Sequence, residues 1–290
     1  MLATLKEVLE KAEQGNYAVG AFNCTSLESG MAIVETAEEL NSPVILQYAD
    51  SHRHLISIDV IGPIMLQLAK IAKVPVVAHL DHGASIESCR HAVDMGFTSV
   101  MYDASAKPFE DNVAETRSVV EYAHERGASV EAELGHILTS KAGAAEGNGK
   151  SYTREEAYTD PEMAKEFIER TNVDALAIGF GTAHGIYTEK PVLDLNRITL
   201  IKSAKDIPYV MHGGSGLSEE EYRTAIHNGI RKINYYTYLS LAGGRGVMQY
   251  LEDKKDKDAI YFEDIAKAGI TAMKADVKRA MKIFESDGKI

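Results

Sequence analysis

Short apolar runs alternate with longer amphipathic ones along most of the chain. Val44-Ile45-Leu46 and Val76-Val77-Ala78 are continuously apolar, the pattern of parallel strands covered on both faces. Residues 29–40, 57–72 and 86–95 repeat their apolar positions at helical spacing. Gly15-Asn16, Asn41-Ser42-Pro43 and Pro75 punctuate the change from one pattern to the other. Read this way, strands are predicted over 17–23, 44–47, from Pro75 onward, 98–102, 129–134, 175–178, 209–211 and 232–234. Helices are predicted over 29–40, 57–72, 86–95, 109–125, 161–171, 195–204 and 219–227. A further helix, capped by Thr4 with Glu7 three residues on, runs to about Gln14, and 240–290 reads as mostly helical.

About eight strands, each followed by a helix, specify a parallel sheet. That regularity over one chain of 290 residues favours a closed (β/α)8 TIM barrel over an open doubly wound sheet. No Gly-x-Gly-x-x-Gly follows the first strand, which argues against a dinucleotide site. No Pro/Ser-rich linker divides the chain, so 1–290 reads as a single barrel domain with an extra N-terminal helix and C-terminal helices. Two stretches break the pattern. Residues 137–160, with Gly143-Ala144-Ala145-Glu146-Gly147-Asn148-Gly149, are too long for a plain connection and read as a lid or a loop. The charged stretch 251–258 reads as a solvated surface.

Chemistry in such a barrel collects at the C-terminal ends of the strands. Those ends carry Asn23, Asp50 with Ser51, Asp81 with His82, Asp103, Glu131 with Glu133, His184, His212 and Asn234, whereas the starts carry Tyr17, Pro43, Pro75, Thr98 and Pro208. His82, His184 and His212 fall after the third, sixth and seventh strands, each followed by glycine. Three imidazoles with a free fourth position suit a catalytic zinc site, and Asp81 beside them can serve as a base. His79, two residues before Asp81, faces the same way and is expected to support a ligand. His52, His54, His91, His124, His136 and His227 lack that placement, and most read as surface or helix residues. Gly213-Gly214-Ser215 and Asn234-Tyr235-Tyr236-Thr237 follow strands seven and eight, where barrels bind phosphate on backbone amides.

Composition narrows the partners. Against 31 basic residues stand 43 acidic ones, a net charge of −12 that argues against nucleic acid or an anionic membrane. No apolar run reaches the roughly 18 residues of a membrane span, and the N-terminus lacks a signal-peptide layout. Two cysteines form no disulfide framework, so a reducing cytoplasm is the expected setting.

Several motifs in order resemble the class II, zinc-dependent ketose-bisphosphate aldolases, which include the fructose- and tagatose-bisphosphate enzymes. They are Ala18-Val19-Gly20-Ala21-Phe22-Asn23, His79-Leu80-Asp81-His82-Gly83, Met101-Tyr102-Asp103-Ala104-Ser105, Val130-Glu131-Ala132-Glu133-Leu134-Gly135, Gly181-Thr182-Ala183-His184-Gly185, His212-Gly213-Gly214-Ser215-Gly216 and Lys232-Ile233-Asn234. The resemblance implies Zn²⁺ on His82, His184 and His212, Asp81 as catalytic base, and Asp103 and Glu133 at a second metal position or supporting the first. It implies that Gly185, Gly213, Ser215, Asn234 and Thr237 grip dihydroxyacetone phosphate, with a monovalent cation nearby, and Gly214 adds an amide. The expected reaction is reversible cleavage of a ketose 1,6-bisphosphate into dihydroxyacetone phosphate and an aldehyde such as glyceraldehyde 3-phosphate, by a homodimer or homotetramer.

Three departures bear on the substrate. The family's lid usually carries adjacent acidic residues, whereas only Glu146 stands in the corresponding stretch. After strand two the chain reads Asp50-Ser51-His52-Arg53-His54, so Asn23 and Ser51 would meet the substrate, and Arg53 with its flanking histidines His52 and His54 could bind an anionic far end that need not be phosphate. Asn234-Tyr235-Tyr236-Thr237 is bulkier than the family's usual sequence. The alternative within the family is therefore a ketose 1-phosphate ending in carboxylate or sulfonate. Outside it stand a metal-dependent barrel hydrolase, disfavoured because strand one ends Ala21-Phe22-Asn23 without a His-x-His pair, and a barrel that only binds sugar phosphates.

Overall fold

The computed structural model describes residues 1–139, 153–187, 189–255 and 259–290. Among these, eight parallel strands close into a barrel. They are β1 (Val19–Asn23), β2 (Val44–Ala49), β3 (Val76–Gly83), β4 (Ser99–Tyr102), β5 (Ser129–Leu134), β6 (Ala175–Ile178), β7 (Tyr209–Met211) and β8 (Ile230–Tyr235). Each pairs with the next, and β8 returns to β1 with Lys232 opposite Val19 and Asn234 opposite Ala21.

Helix α1 (Leu5–Gly15) precedes the barrel. Between strands run α2 (Leu27–Leu40), α3 (Ile58–Ile71), α4 (Ile86–Met95), α5 (Phe109–His124), α6 (Pro161–Thr171), α7 (Leu195–Ala204) and α8 (Glu219–Asn228). After β8 come α9 (Thr237–Asp253) and α10 (Phe262–Ile283). Local chemistry fixes many of the ends. Thr4, Ser26, Ser85 and Ser218 each accept from the third helical amide while that residue's side chain returns the bond, a reciprocal cap worth about 0.5–2 kcal/mol. Asn16, Asn41 and Asn172 stop their helices in the left-handed conformation that asparagine tolerates.

The apolar strand runs resolve into two buried faces of period two. Val19, Ala21, Ile45, Val77, Met101, Ala175, Ala177 and Val210 form one cluster with Leu5, Val8, Leu9 and Ala12 of α1. Their neighbours Leu46, Val76, Ala78, Val100, Leu176 and Met211 belong to the larger cluster shared with the outer helices. Helix α1 therefore plugs the barrel from the end where the strands begin, and Leu2–Ala3 pairs with Val76 and Val77 there. The inward positions turn polar towards the opposite end, as His79, Glu131 and Lys232 show, each fully buried.

The predicted elements are present with small shifts at their ends. Short elements without a periodic signal were not predicted: Leu2–Ala3, the 3-10 turn Asp50–His54, the ladder of Leu138–Thr139 with Ala183–His184, and Arg154–Ala157. Most of the glycine-rich stretch, including Glu146, lies outside the described residues. No helix among the described residues is long and apolar enough to cross a membrane.

Candidate active site

Strand β3 delivers two consecutive side chains to the barrel mouth, which simple alternation forbids. Asp81 follows Val77 and His79 on the inward face, and His82 would then point outward. Instead His82 adopts φ 45°, and the β3–β4 register shifts between Leu80 and Gly83. A non-glycine residue in this region costs about 1–2 kcal/mol, which its surroundings must supply. They do so through Asp103, whose Oδ2 accepts from His82 Nδ1 at 2.8 Å. Asp103 is itself held at Oδ1 by the Ser105 amide and hydroxyl, at 3.0 and 2.7 Å.

His212, at the end of β7, mirrors this arrangement. Its Nε2 lies 2.8 Å from Glu131 Oε1, and its Nδ1 faces His82 Nε2 at 2.8 Å. Both carboxylates claim the outer N–H of their imidazole, so the two facing nitrogens present lone pairs to each other. Either a proton or a cation must lie between them. His184 completes the group: the possible ligand atoms of His82, His184 and His212 all lie within 4.8 Å of one another. The chemistry of this donor set fits a divalent metal. His82, Asp103 and Glu133 form a second such group.

The loops carrying His184 and His212 lock together. Tyr187 accepts from the Ala183 amide at 2.9 Å and donates to the Gly213 carbonyl at 2.8 Å. Burial pushes its phenol up to about 12, so it stays protonated and able to donate. Gly213 has φ 62°, and a side chain there would stand 2.5 Å from the Ala183 backbone. Gly185 also has positive φ, 99°. Ser215 accepts from the Tyr236 amide at 3.3 Å, beside the N-terminus of α9 where Thr237 begins the helix. Gly213, Gly214, Ser215 and the α9 N-terminus thus surround one corner of the mouth, a geometry suited to an anion.

Asp81 is nearly enclosed. Its Oδ1 accepts from Asn234 Nδ2 at 2.9 Å, and its Oδ2 from Gln47 Nε2 at 3.2 Å and Asn23 Nδ2 at 3.3 Å. Asn23 and Asn234, expected to meet substrate, are therefore already bonded to this carboxylate. Burial disfavours its charge, but His82, His212 and Lys232 more than compensate and hold its pKa below the ordinary value. Burial acts on His82 too, yet Asp81, Asp103 and Glu133 lift it well above its ordinary value. His212 is held well below by burial and by the charges of His82 and Lys232. For Asp103, burial pushes the carboxyl up, but the bond and charge of His82 together with the Ser105 donors outweigh it and lower the carboxyl.

The turn after β2 is anchored by Asp50, whose Oδ2 accepts from the Ala84 amide at 3.0 Å. Its Oδ1 lies 3.2 Å from Arg53 Nη2, and the Arg53 side chain is 67% exposed. Ser51 is exposed, with its carbonyl 2.9 Å from His54 Nδ1. Sequence reasoning gave His52 a place only as a flank of Arg53 and gave His136 none. The His52 ring sits 4.6 Å from that of Tyr236, and His136 lines the narrow cleft with His82, Asp103, Glu133 and His184. Gln47 and Tyr187 were missed because nothing local in the sequence marks an amide or phenol that bridges two strand ends.

Comparison with known proteins agrees with this geometry. A family model described as fructose-bisphosphate aldolase class-II matches residues 3–289. A fructose-bisphosphate aldolase of Geobacillus stearothermophilus is 41% identical over 291 residues, covering 99% of this chain and 98% of that one. The uncharacterized protein YdjI of Escherichia coli is 36% identical over 293 residues, covering 100% and 99%. Among solved structures, the crystal structure of the YdjI aldolase superposes with a TM-score of 0.85 at 35% identity, covering 100% of this chain and 99% of that one. A putative fructose-1,6-bisphosphate aldolase of Coccidioides immitis gives 0.83 at 27% identity, covering 98% and 97%. With a closed barrel, clustered histidines at its mouth and a match along nearly its whole length, this chain belongs to the class II fructose-bisphosphate aldolase family, a generally metal-dependent family of lyases.

Proposed function

We propose that the protein is a zinc-dependent aldolase that reversibly cleaves a ketose 1,6-bisphosphate of fructose or tagatose type into dihydroxyacetone phosphate and an aldehyde such as glyceraldehyde 3-phosphate. The observation that carries this reading is the 2.8 Å approach of His82 Nε2 and His212 Nδ1 with both outer nitrogens committed to carboxylates. His82, His184 and His212 would hold the ion, with Glu133 and Asp103 available as a second position. When bound, the ion supplies Lewis-acid stabilisation of charge developing at the ketose oxygens.

The chain's own groups account for the rest. Asp81, ionised and fixed by three amide donors, takes the C4 hydroxyl proton as the C3–C4 bond breaks and the aldehyde leaves. The amides of Gly213, Gly214 and Ser215, with Gly185 and Thr237, hold the C1 phosphate and thereby orient the three-carbon fragment. Glu146, the proposed donor of the final proton to that fragment, lies outside the described residues. At the far end Ser51 and Arg53 meet the aldehyde portion. Exposed apolar residues on the C-terminal helices, Met248 and Phe262 among them, support assembly as a homodimer or homotetramer.

A second reading keeps the reaction and changes the substrate to a ketose 1-phosphate with a terminal carboxylate or sulfonate. It is favoured by the Asp50–Arg53 pair, which leaves little net positive charge for a dianionic phosphate. The deciding experiment strips the enzyme with chelator, restores Zn²⁺, and assays release of dihydroxyacetone phosphate from ketose phosphates differing in C4 configuration and terminal anion. Full activity in a metal-free preparation would end the zinc reading, and the preferred terminal anion chooses between the two substrates.

A further inference from the structure

Beneath the histidines lies a pair of charges that the reaction itself does not use. Glu131 on β5 and Lys232 on β8 are both fully buried, and Glu131 Oε2 lies 2.8 Å from Lys232 Nζ. Beta-strands β6 and β7 separate them in the sheet, so the pair spans the barrel interior. A buried ion pair is weak evidence of stabilisation, since desolvating both charges offsets most of their attraction. Its neighbours give it a different use. Glu131 Oε1 accepts from His212 Nε2 at 2.8 Å, and Lys232 Nζ donates to Asn234 Oδ1 at 2.7 Å.

Each contact removes an ambiguity. Imidazole has two tautomers, and a carboxylate at Nε2 selects the one whose Nδ1 lone pair faces the cluster. The Asn234 amide has two nearly isosteric orientations, and an ammonium at one end admits only the oxygen there. Its nitrogen must then face Asp81, where it donates at 2.9 Å. We infer that the Glu131–Lys232 pair is a positioning device that fixes the ligating nitrogen of His212 and the orientation of Asp81 together. This inference rests on the metal-site reading given above. Its consequence is that ligand and base are set before any substrate arrives, through one unbroken line of contacts from His212 to Asp81.

The test uses the full chain with Glu131→Gln, Lys232→Met and the double variant, in which no unpaired charge is buried. Nitrogen-15 NMR of the metal-free native protein should report His212 as the Nε2–H tautomer, and the double variant should show a mixture. Zinc affinity, by chelator competition, should fall about 10- to 100-fold in the double variant, the usual effect of losing a partner behind a ligand. Its kcat should fall at least about tenfold, with KM for the ketose within about threefold, because groups that position a base act on the chemical step. An Nδ1–H tautomer in the native protein overturns the inference, whether or not the variants fold. So does a folded double variant with native tautomer, zinc affinity and kcat. The native protein's own zinc titration separates these outcomes from failure of the metal reading.

Discussion

Asp103 holds His82 in an orientation that the backbone alone would not choose: the 2.8 Å bond from Nδ1 to Oδ2 accompanies a φ of 45°. Removing the carboxylate should therefore loosen the ring as well as free its tautomer. Asp103→Ala is expected to weaken zinc binding about 10- to 100-fold, read by chelator competition. Unchanged affinity in a folded Asp103→Ala protein would show that His82 is held by its backbone instead.

Metal and proton should compete for one place. The raised pKa of His82 stabilises its charged form in the protein without metal, and the proton then bridges to His212 Nδ1. Binding should release about one proton per ion. Apparent zinc affinity should weaken by about tenfold per pH unit below the raised pKa of His82. Calorimetry in buffers of different ionisation enthalpy reads this directly, and no proton release would exclude the bridged arrangement.

Asp81→Asn tests the base and carries a predictable side effect. Three amide donors converge on the carboxylate, so an introduced NH2 group faces at least one of them. A cost of about 1–3 kcal/mol in stability is expected from the mismatched donors, seen in urea unfolding. Zinc content should persist while kcat falls about 10²- to 10⁴-fold. Loss of zinc together with activity would make Asp81 a ligand.

Gly213→Ala should separate the anion corner from the metal. Positive φ costs alanine about 1–2 kcal/mol, and overlap with the Ala183 backbone adds about 1–3 kcal/mol. The loop must move, so affinity for dihydroxyacetone phosphate should fall while KM and kcat worsen together. Native phosphate affinity with only reduced stability would remove this loop from the anion site.

Arg53→Ala addresses the far end. Because Arg53 is exposed and shared with Asp50, its contribution belongs at the lower end for a charge-assisted contact, about tenfold in KM for the intact ketose. Affinity for dihydroxyacetone phosphate should stay within about twofold. Equal weakening of both ligands would indicate general damage.

The barrel was legible because its strands and helices differ in period and are punctuated by caps that act locally. The histidines that cluster at the mouth were legible too, since each sits at a strand end before a glycine. What escaped was whatever depends on two distant segments meeting. Glu131 appeared in the sequence only as one of two acids on β5, and its partners lie on β7 and β8. His136 looked like a surface or helix residue, yet it lines the cleft with His82, Asp103 and His184. The left-handed turn at His82 also lacked a signal, because histidine carries no marker of positive φ comparable to glycine.

The plug made by α1 has a chronological consequence. Leu5, Val8, Leu9 and Ala12 pack against strand residues as far along the chain as Val210. Helix α1 therefore has no complete seat until most of the barrel that follows it has been synthesised, and its apolar stripe must wait. Ribosome-bound chains arrested before β7 should leave this segment open to proteases, with protection arriving only once Val210 has emerged. The order of synthesis and the order of seating thus run opposite ways for α1.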